Sequence, residues 1–233
     1  MDKAGAGTAT TRVANQKMTA RIAGLWYVAF ILLGAFAMAF VDEKLLIANN
    51  AAATLESFRA NMTLYYLGFA AYCAGYMCFI LSVNALCKIF RSTNRRLAQL
   101  MRALVVAGTV IALICKLAQY GAVIAPGLQH DTAASLISLH TNGVNAAGVF
   151  WGLWLIPLGL MILQSRLVPK AIGILLFVAS VGHLLDCGLF FFASPNVSET
   201  ILPALYVAEM AGEFALVLWL LIKGVRTQDQ KSN

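Results

Sequence analysis

Charge is what this sequence has least of. Asp, Glu, Lys and Arg make up 12% of its 233 residues, while 61% are hydrophobic; an ordinary soluble domain is roughly 25% charged and roughly 45–50% apolar. A chain so poor in charge cannot cover a water-facing surface, which excludes a soluble catalytic module, and its apolar content excludes a disordered chain. Cysteine is sparse as well. Cys73, Cys78, Cys87, Cys115 and Cys187 all lie inside apolar stretches and none forms a Cys-x-x-Cys pair, so neither a disulfide framework nor a thiolate zinc site is indicated. The first twenty residues hold no apolar stretch followed by a small-residue cleavage site, and they are expected to remain as a polar, mobile tail. No fixed-period repeat and no inverted pair of broken helices is visible, which counts against a secondary transporter.

What is present is a set of six long apolar runs, at 22–41, 64–90, 97–124, 135–163, 171–193 and 201–222. Each is long enough to cross a hydrocarbon core about 30 Å thick. None alternates polar and apolar residues as a barrel strand would. Backbone in lipid must satisfy its own hydrogen bonds, so the runs predict helices. The expected architecture is an all-α, polytopic transmembrane bundle of six helices spanning 21–225, with tails at 1–20 and 226–233. Pro157 is expected to kink the fourth helix and Pro169 to start the fifth. The connection 42–61 carries Leu45, Leu46, Ile47, Leu55 and Phe58; it reads either as a short helix lying on the membrane surface or as a plain loop.

Basic residues set the expected orientation. Fourteen of the seventeen Lys and Arg residues fall in the N-terminal tail, the 88–102 region, the 166–170 loop and the C-terminal tail, while the alternate loops hold only Lys44 and Arg59. Cytoplasmic segments accumulate such residues, so both termini are expected in the cytoplasm, with the chain in the bacterial inner membrane. The net charge of +7 then reports topology and contact with anionic lipid headgroups, not a nucleic-acid partner.

Six ionisable side chains sit deep inside the runs: Lys116 in the third, His140 in the fourth, His183 and Asp186 in the fifth, Glu209 and Glu213 in the sixth. A charge at a helix centre costs roughly 2.5–3.5 kcal/mol on insertion scales, so each is a functional candidate until a partner is found. Arg102 lies near a helix end and can snorkel to the interface. At about 1.5 Å per residue, all six fall in the central and outer parts of the bilayer. Residues three or four apart share a helix face, which groups His183 with Asp186 and Cys187, Glu209 with Glu213, and Lys116 with Gln119 and Tyr120. A single polar pocket in the outer half, built by the third to sixth helices, is the expectation.

One lysine set against three carboxylates leaves negative charge that cannot stay buried without held protons, a histidinium or a bound cation. Three readings stand: a structural polar network, a proton, cation or small-ligand site, and a metal-assisted or acid–base catalytic site. His140, His183, Asp186, Glu209 and Glu213 are chemically suited to zinc or iron, yet no His-Glu-x-x-His or paired Glu-x-x-His spacing occurs. Bis-histidine haem would have to use His140 and His183, about 6 Å apart in depth. Ser180 lies one turn from His183 with no nucleophile motif around it, which argues against a serine hydrolase. No cofactor is assigned.

The order of motifs carries a resemblance. Thr19-Ala-Arg-Ile-Ala-Gly-Leu-Trp-Tyr27 opens it. Leu139-His140, Gly143, Val149-Phe150, Gly152, Gly159, Ser165, Pro169, Gly173, Gly182 and Asp186 follow, and Gly212-Glu213, Leu218-Trp219 and Lys223-Gly224 close it. This pattern resembles the bacterial domain of unknown function (DUF) 4386 family. The resemblance implies a six-span membrane protein with no assigned activity, and it implies that His140, Asp186 and Glu213 occupy the family's intramembrane polar positions. Lys116 and Glu209 match nothing in that pattern, while His183 stands where the family more often has an aromatic and Asn145 where it often has an acid. Any metal site is then expected to use His140, Asp186 and Glu213.

The leading reading is a non-enzymatic binding or structural protein whose pocket holds a small polar ligand, a lipid headgroup, a proton or a cation. The alternatives are an intramembrane metal-dependent or acid–base enzyme using His140, Asp186 and Glu213, and a membrane subunit of a larger complex. Membrane lipids are expected partners; so is a second copy or another subunit, met at the Gly148 and Gly152 step of the fourth helix. The charge bias makes a direct prediction. In a cysteine-free background, single cysteines at positions 50 and 197 should react with an impermeant thiol reagent from outside, and one at position 93 only from the cytoplasm. Outside labelling at position 93 would overturn the orientation.

Overall fold

The first apolar run continues past its predicted end because nothing in its backbone stops it, and its last eight residues change geometry. In the computed structural model, which describes residues 3–48, 50–125, 127–193 and 195–226, helix α1 (Lys3–Gly34) passes directly into a π-helical segment, Ala35–Asp42, and a single turn α2 (Glu43–Leu45). The Glu43 N–H reaches back to the Met38 carbonyl, five residues away. A π-helix turns less per residue than an α-helix. The accumulated phase difference over eight residues decides which neighbour Asp42 meets.

The remaining elements follow the apolar runs closely. They are α3 (Ala51–Ala60), α4 (Met62–Phe90), α5 (Arg95–Ile124), α6 (His130–Leu153), α7 (Leu155–Ser165), α8 (Lys170–Phe192) and α9 (Pro195–Ile222). Six units are long and apolar enough to cross a membrane: Asn15–Leu45, Met62–Phe90, Arg95–Ile124, His130–Ser165, Lys170–Phe192 and Ile201–Ile222. The described residues contain no strand, and the all-helical, six-span expectation holds.

Local chemistry explains the boundaries. The Asn50 and Asn94 side chains accept hydrogen bonds from Ala53 N (3.0 Å) and Leu97 N (3.1 Å), capping α3 and α5 in the way short polar side chains satisfy the first free amides of a helix. The fourth span breaks at Trp154. Pro157 cannot donate to the carbonyl of Leu153, and its ring would collide with it. The expected kink is a one-residue break between α6 and α7, at which Trp154 keeps right-handed helical dihedrals and fills the core at 1% exposure. Pro169 caps α8 from just outside its first residue.

Helix α1 begins at Lys3 and Ala20 is fully buried, so residues 3–20, expected as a polar tail, are helical. Of the predicted tail 226–233, residues 227–233 lie outside the described residues, while Arg226 N is bonded to Leu167 O at 2.8 Å. The connection 42–61 contains the short helix of its first reading, α3, and that helix turns Leu55 and Phe58 inward, each at 0% exposure, so its apolar face covers the bundle. Arg59 fixes it there by donating to the carbonyls of Ala122, Val123 and Ala125 at the C-terminus of α5, where carbonyls lack intrahelical partners.

Each span packs on its neighbours in sequence, and α9 returns to α1, closing a ring. Inside it Tyr27, Phe79 and Trp154 meet edge and face at centroid distances of 5.3–6.3 Å. A second core of Val41, Leu45, Leu55, Phe58, Tyr65 and Ile137 lies under α3. The closest approach of a glycine to another helix's backbone is between α8 and α9, where a Cβ on Gly212 would lie 2.7 Å from the Leu175 carbonyl oxygen. Gly152 is likewise occupied internally, facing His183 and Leu184, whereas nothing lies within 4 Å of Gly148. Only half of the predicted contact step is therefore free. Gly212→Ala should lower stability by about 1–3 kcal/mol through overpacking, and Gly148→Ala should raise it by up to about 1 kcal/mol through helix propensity. Unfolding in mixed detergent followed by circular dichroism tests both; equal effects would remove the close α8–α9 approach as a constraint.

Candidate functional site

The six ionisable side chains do not converge on one point. They fall into two groups, one around the Asp42–Lys116 ion pair and one around His183, with Asp186 beside the second. In the first, the Lys116 ammonium lies 3.4 Å from both carboxylate oxygens of Asp42. Lys116 is 2% exposed and Asp42 7%, so the pair is shielded from solvent. The ammonium also lies 5.0 Å from the centre of the Tyr72 ring, a favourable placement against the ring's negative face. His140 approaches the same ring edge-on, with centroids 5.7 Å apart. Its Nδ1 is buried without a hydrogen-bond partner, as are both side-chain polar atoms of Gln119. Tyr120, grouped with Lys116 and Gln119 by spacing alone, instead stacks with Tyr65 and Phe69.

A cavity of about 390 Å³ opens beside this group, lined by Asp42, Glu43, Leu46, His140, Thr141 and Asn145 among others. A second cleft of about 440 Å³ shares Leu46, Ala48 and Thr141 with it and runs under α3. Both lie between the end of the first span and α6. Leu46, Ala48 and Asn50 belong to the chain entering α3, which Thr54 ties down through hydrogen bonds with both backbone groups of Ile47.

The second group joins three helices. The His183 Nε2 lies 3.2 Å from Glu213 Oε1 and its Nδ1 3.4 Å from Glu209 Oε2. The Tyr27 hydroxyl donates to the other oxygen of Glu213. A neutral imidazole carries one N–H, whereas an ionised carboxylate only accepts. With a carboxylate at each ring nitrogen, engaging both requires one further proton, either on the ring or on a glutamic acid. Glu209 Oε1 is buried and has no partner. The carboxylates stand on opposite sides of the imidazole and do not meet at a common centre.

Asp186 lies one turn from His183 on α8, partly exposed, with no hydrogen bond or ion pair among the described residues. Its neighbour in the predicted stripe, Cys187, turns to α6 and donates to the Asn145 carbonyl at 3.3 Å. Among the described residues no three His, Cys, Asp or Glu side chains are placed to hold a metal ion, and that includes His140, Asp186 and Glu213.

Residues 22–224 match the domain of unknown function (DUF) 4386 family. The chain belongs to this family. A curated relative from Archaeoglobus fulgidus, described as an uncharacterized protein, is 32% identical over 81 residues, covering 33% of this chain and 43% of that protein. The chain thus spans less than half the length of the relative it matches, and no solved structure matches it. Of the three positions singled out by the family pattern, His140 belongs to the first group of this DUF4386 protein, Glu213 to the second, and Asp186 stands beside the second.

Two partners escaped the sequence reading. Asp42 falls one residue beyond the first apolar run and reads as a loop acid; the signal that could have found it is an unpaired lysine deep in the third span. Tyr27 carries no such signal, since an apolar helix holds tyrosine without any partner. Removing one member of a buried ion pair costs about 3–5 kcal/mol, so Lys116→Met should destabilise strongly. Asp42→Asn in the same chain should restore much of the loss. Lys116→Met and Glu213→Gln share no partner and should add within about 0.5 kcal/mol. Unfolding free energies for the four variants check this, and strong coupling between positions 116 and 213 would merge the two groups.

Proposed function

We propose that this DUF4386 protein is a multi-pass protein of the bacterial inner membrane, with both termini in the cytoplasm, that binds a small organic cation in the Asp42–His140 cavity. The observation that carries the reading is the cavity itself. Its volume falls in the range of about 300–1,000 Å³ usual for small-molecule sites, and its polar wall combines a paired carboxylate, Asp42, with a second acid, Glu43. Lys116 balances only Asp42. A cationic ligand supplies the missing charge. His140 lines the cavity, and its Nδ1, buried without a partner, costs about 1–3 kcal/mol while it stays so. Thr141 and Asn145, one turn apart on α6, add further hydrogen-bonding groups.

The acid–base reading is supported by a different observation, the placement of His183 between Glu209 and Glu213 with Tyr27 beyond. On that reading the proton shared by the ring and the carboxylates is the functional element, and it draws on Glu213 and His183 more than on His140.

Thermal unfolding of the full chain in detergent, with ammonium, ethanolamine, choline and neutral alcohols of matching size, separates the readings. The organic cations should raise the melting temperature above an ionic-strength control, and His140→Ala or Glu43→Gln should abolish the rise, while Glu213→Gln leaves it. No cation-specific rise in the unmodified protein would overturn the cavity reading. A rise lost only in Glu213→Gln would favour the second group.

A further inference from the structure

The opposite end of the bundle carries a separate groove of about 970 Å³ between α1, α4 and α5. Its walls are two polar stripes facing each other. Asn84 and Lys88 on α4, continued by Arg91 at its C-cap, recur at helical spacing, and Arg95, Gln99 and Arg102 do the same on α5, so each trio lies on one face. Ile22 and Trp26 of α1 and Leu81 of α4 close the deeper end, and all three are exposed apolar surface.

Charge and depth define what fits. Lys88, Arg91, Arg95 and Arg102 are all solvent-accessible, and no acidic side chain lines the groove. Among the described residues none of the four forms an ion pair or a side-chain hydrogen bond. Arg102 is seven residues along α5 from Arg95, about 10 Å deeper at about 1.5 Å per residue. A soluble anion would be met by cations at the mouth. Here cations run from the mouth to a level flanked by Trp26 and Leu81, which suits a molecule with a phosphate at one end and an acyl chain at the other. Arginine binds phosphate oxygens through paired N–H groups, and cations beside a membrane attract anionic lipids.

We propose that this groove binds one anionic phospholipid, its phosphate held by Arg91, Arg95 and Arg102 and the upper part of an acyl chain lying against Ile22, Trp26 and Leu81. The site is independent of the Asp42–His140 cavity, since the two share no lining residue.

Native mass spectrometry of the full chain in detergent, with phosphatidylglycerol and phosphatidylcholine of identical acyl chains, tests it. The unmodified protein should retain one phosphatidylglycerol with at least about tenfold preference, and Arg95→Gln with Arg102→Gln should weaken retention roughly thirtyfold, as expected for losing two cations at a lipid headgroup. Arg96→Gln removes one such charge outside the groove lining and should leave retention within about twofold. Equal retention of both lipids by the unmodified protein overturns the proposal without recourse to any variant. An equal loss in Arg96→Gln also overturns it, by showing a general charge effect. Inorganic phosphate that competes as well as the lipid would overturn the choice of a phospholipid as the occupant.

Discussion

A lysine ammonium in the interior of an apolar helix bundle must have a counter-ion within reach, and the Asp42–Lys116 pair organises one whole end of this molecule around that need. Helix α5 runs unbroken past Lys116 and offers it no acid. The partner comes from the first span, whose π-helical end brings Asp42 into contact. Once Asp42 is held, the chain leaves the bundle at a set place. Leu46 and Ala48 cross toward α6, and α3 settles over the ends of α5 and α6 with Arg59 on the carbonyls of α5. The cavity beside His140 is the space that this path leaves.

His183 meets the same demand in another way. Here no lysine is available, and the charges are balanced by proximity to carboxylates and by a proton that the ring and the acids must share. Tyr27 ties the group to the aromatic core, because its ring contacts Phe79 and Trp154 while its hydroxyl bonds Glu213. One side chain therefore links the closure of the ring between α1 and α9 to the electrostatics of the second group. A rearrangement of the proton there would be felt at the centre of the packing.

The two ends of the bundle have opposite characters. Acids gather toward the α3 end, with Asp42 and Glu43 at the cavity, while the 88–102 region forms a cationic groove that no acid lines. The closed ring of spans separates them. A ligand at one end and a lipid at the other would act on the same helices, since α1 and its π-helical continuation reach from Trp26 to Asp42.

The sequence by itself determined the number of spans and most of their limits, because the length of an apolar run against the thickness of a bilayer is a one-dimensional quantity. It also marked Lys116, His140, His183, Asp186, Glu209 and Glu213, because a charge inside such a run stands out at once. The sequence could place the kink of the fourth span near Pro157 from its missing N–H alone. Tertiary structure decided which of these side chains meet. Depth along a helix says nothing about which helices are neighbours or which way each is rotated, so six candidates at similar levels looked like one pocket and form two groups. Asp42 depended on a phase change that composition does not encode. Tyr27 depended on α9 returning to α1, and α3 turned its apolar face inward because carbonyls at the end of α5 were within reach of Arg59. Each is a relation between segments far apart in the chain, fixed only when the helices pack.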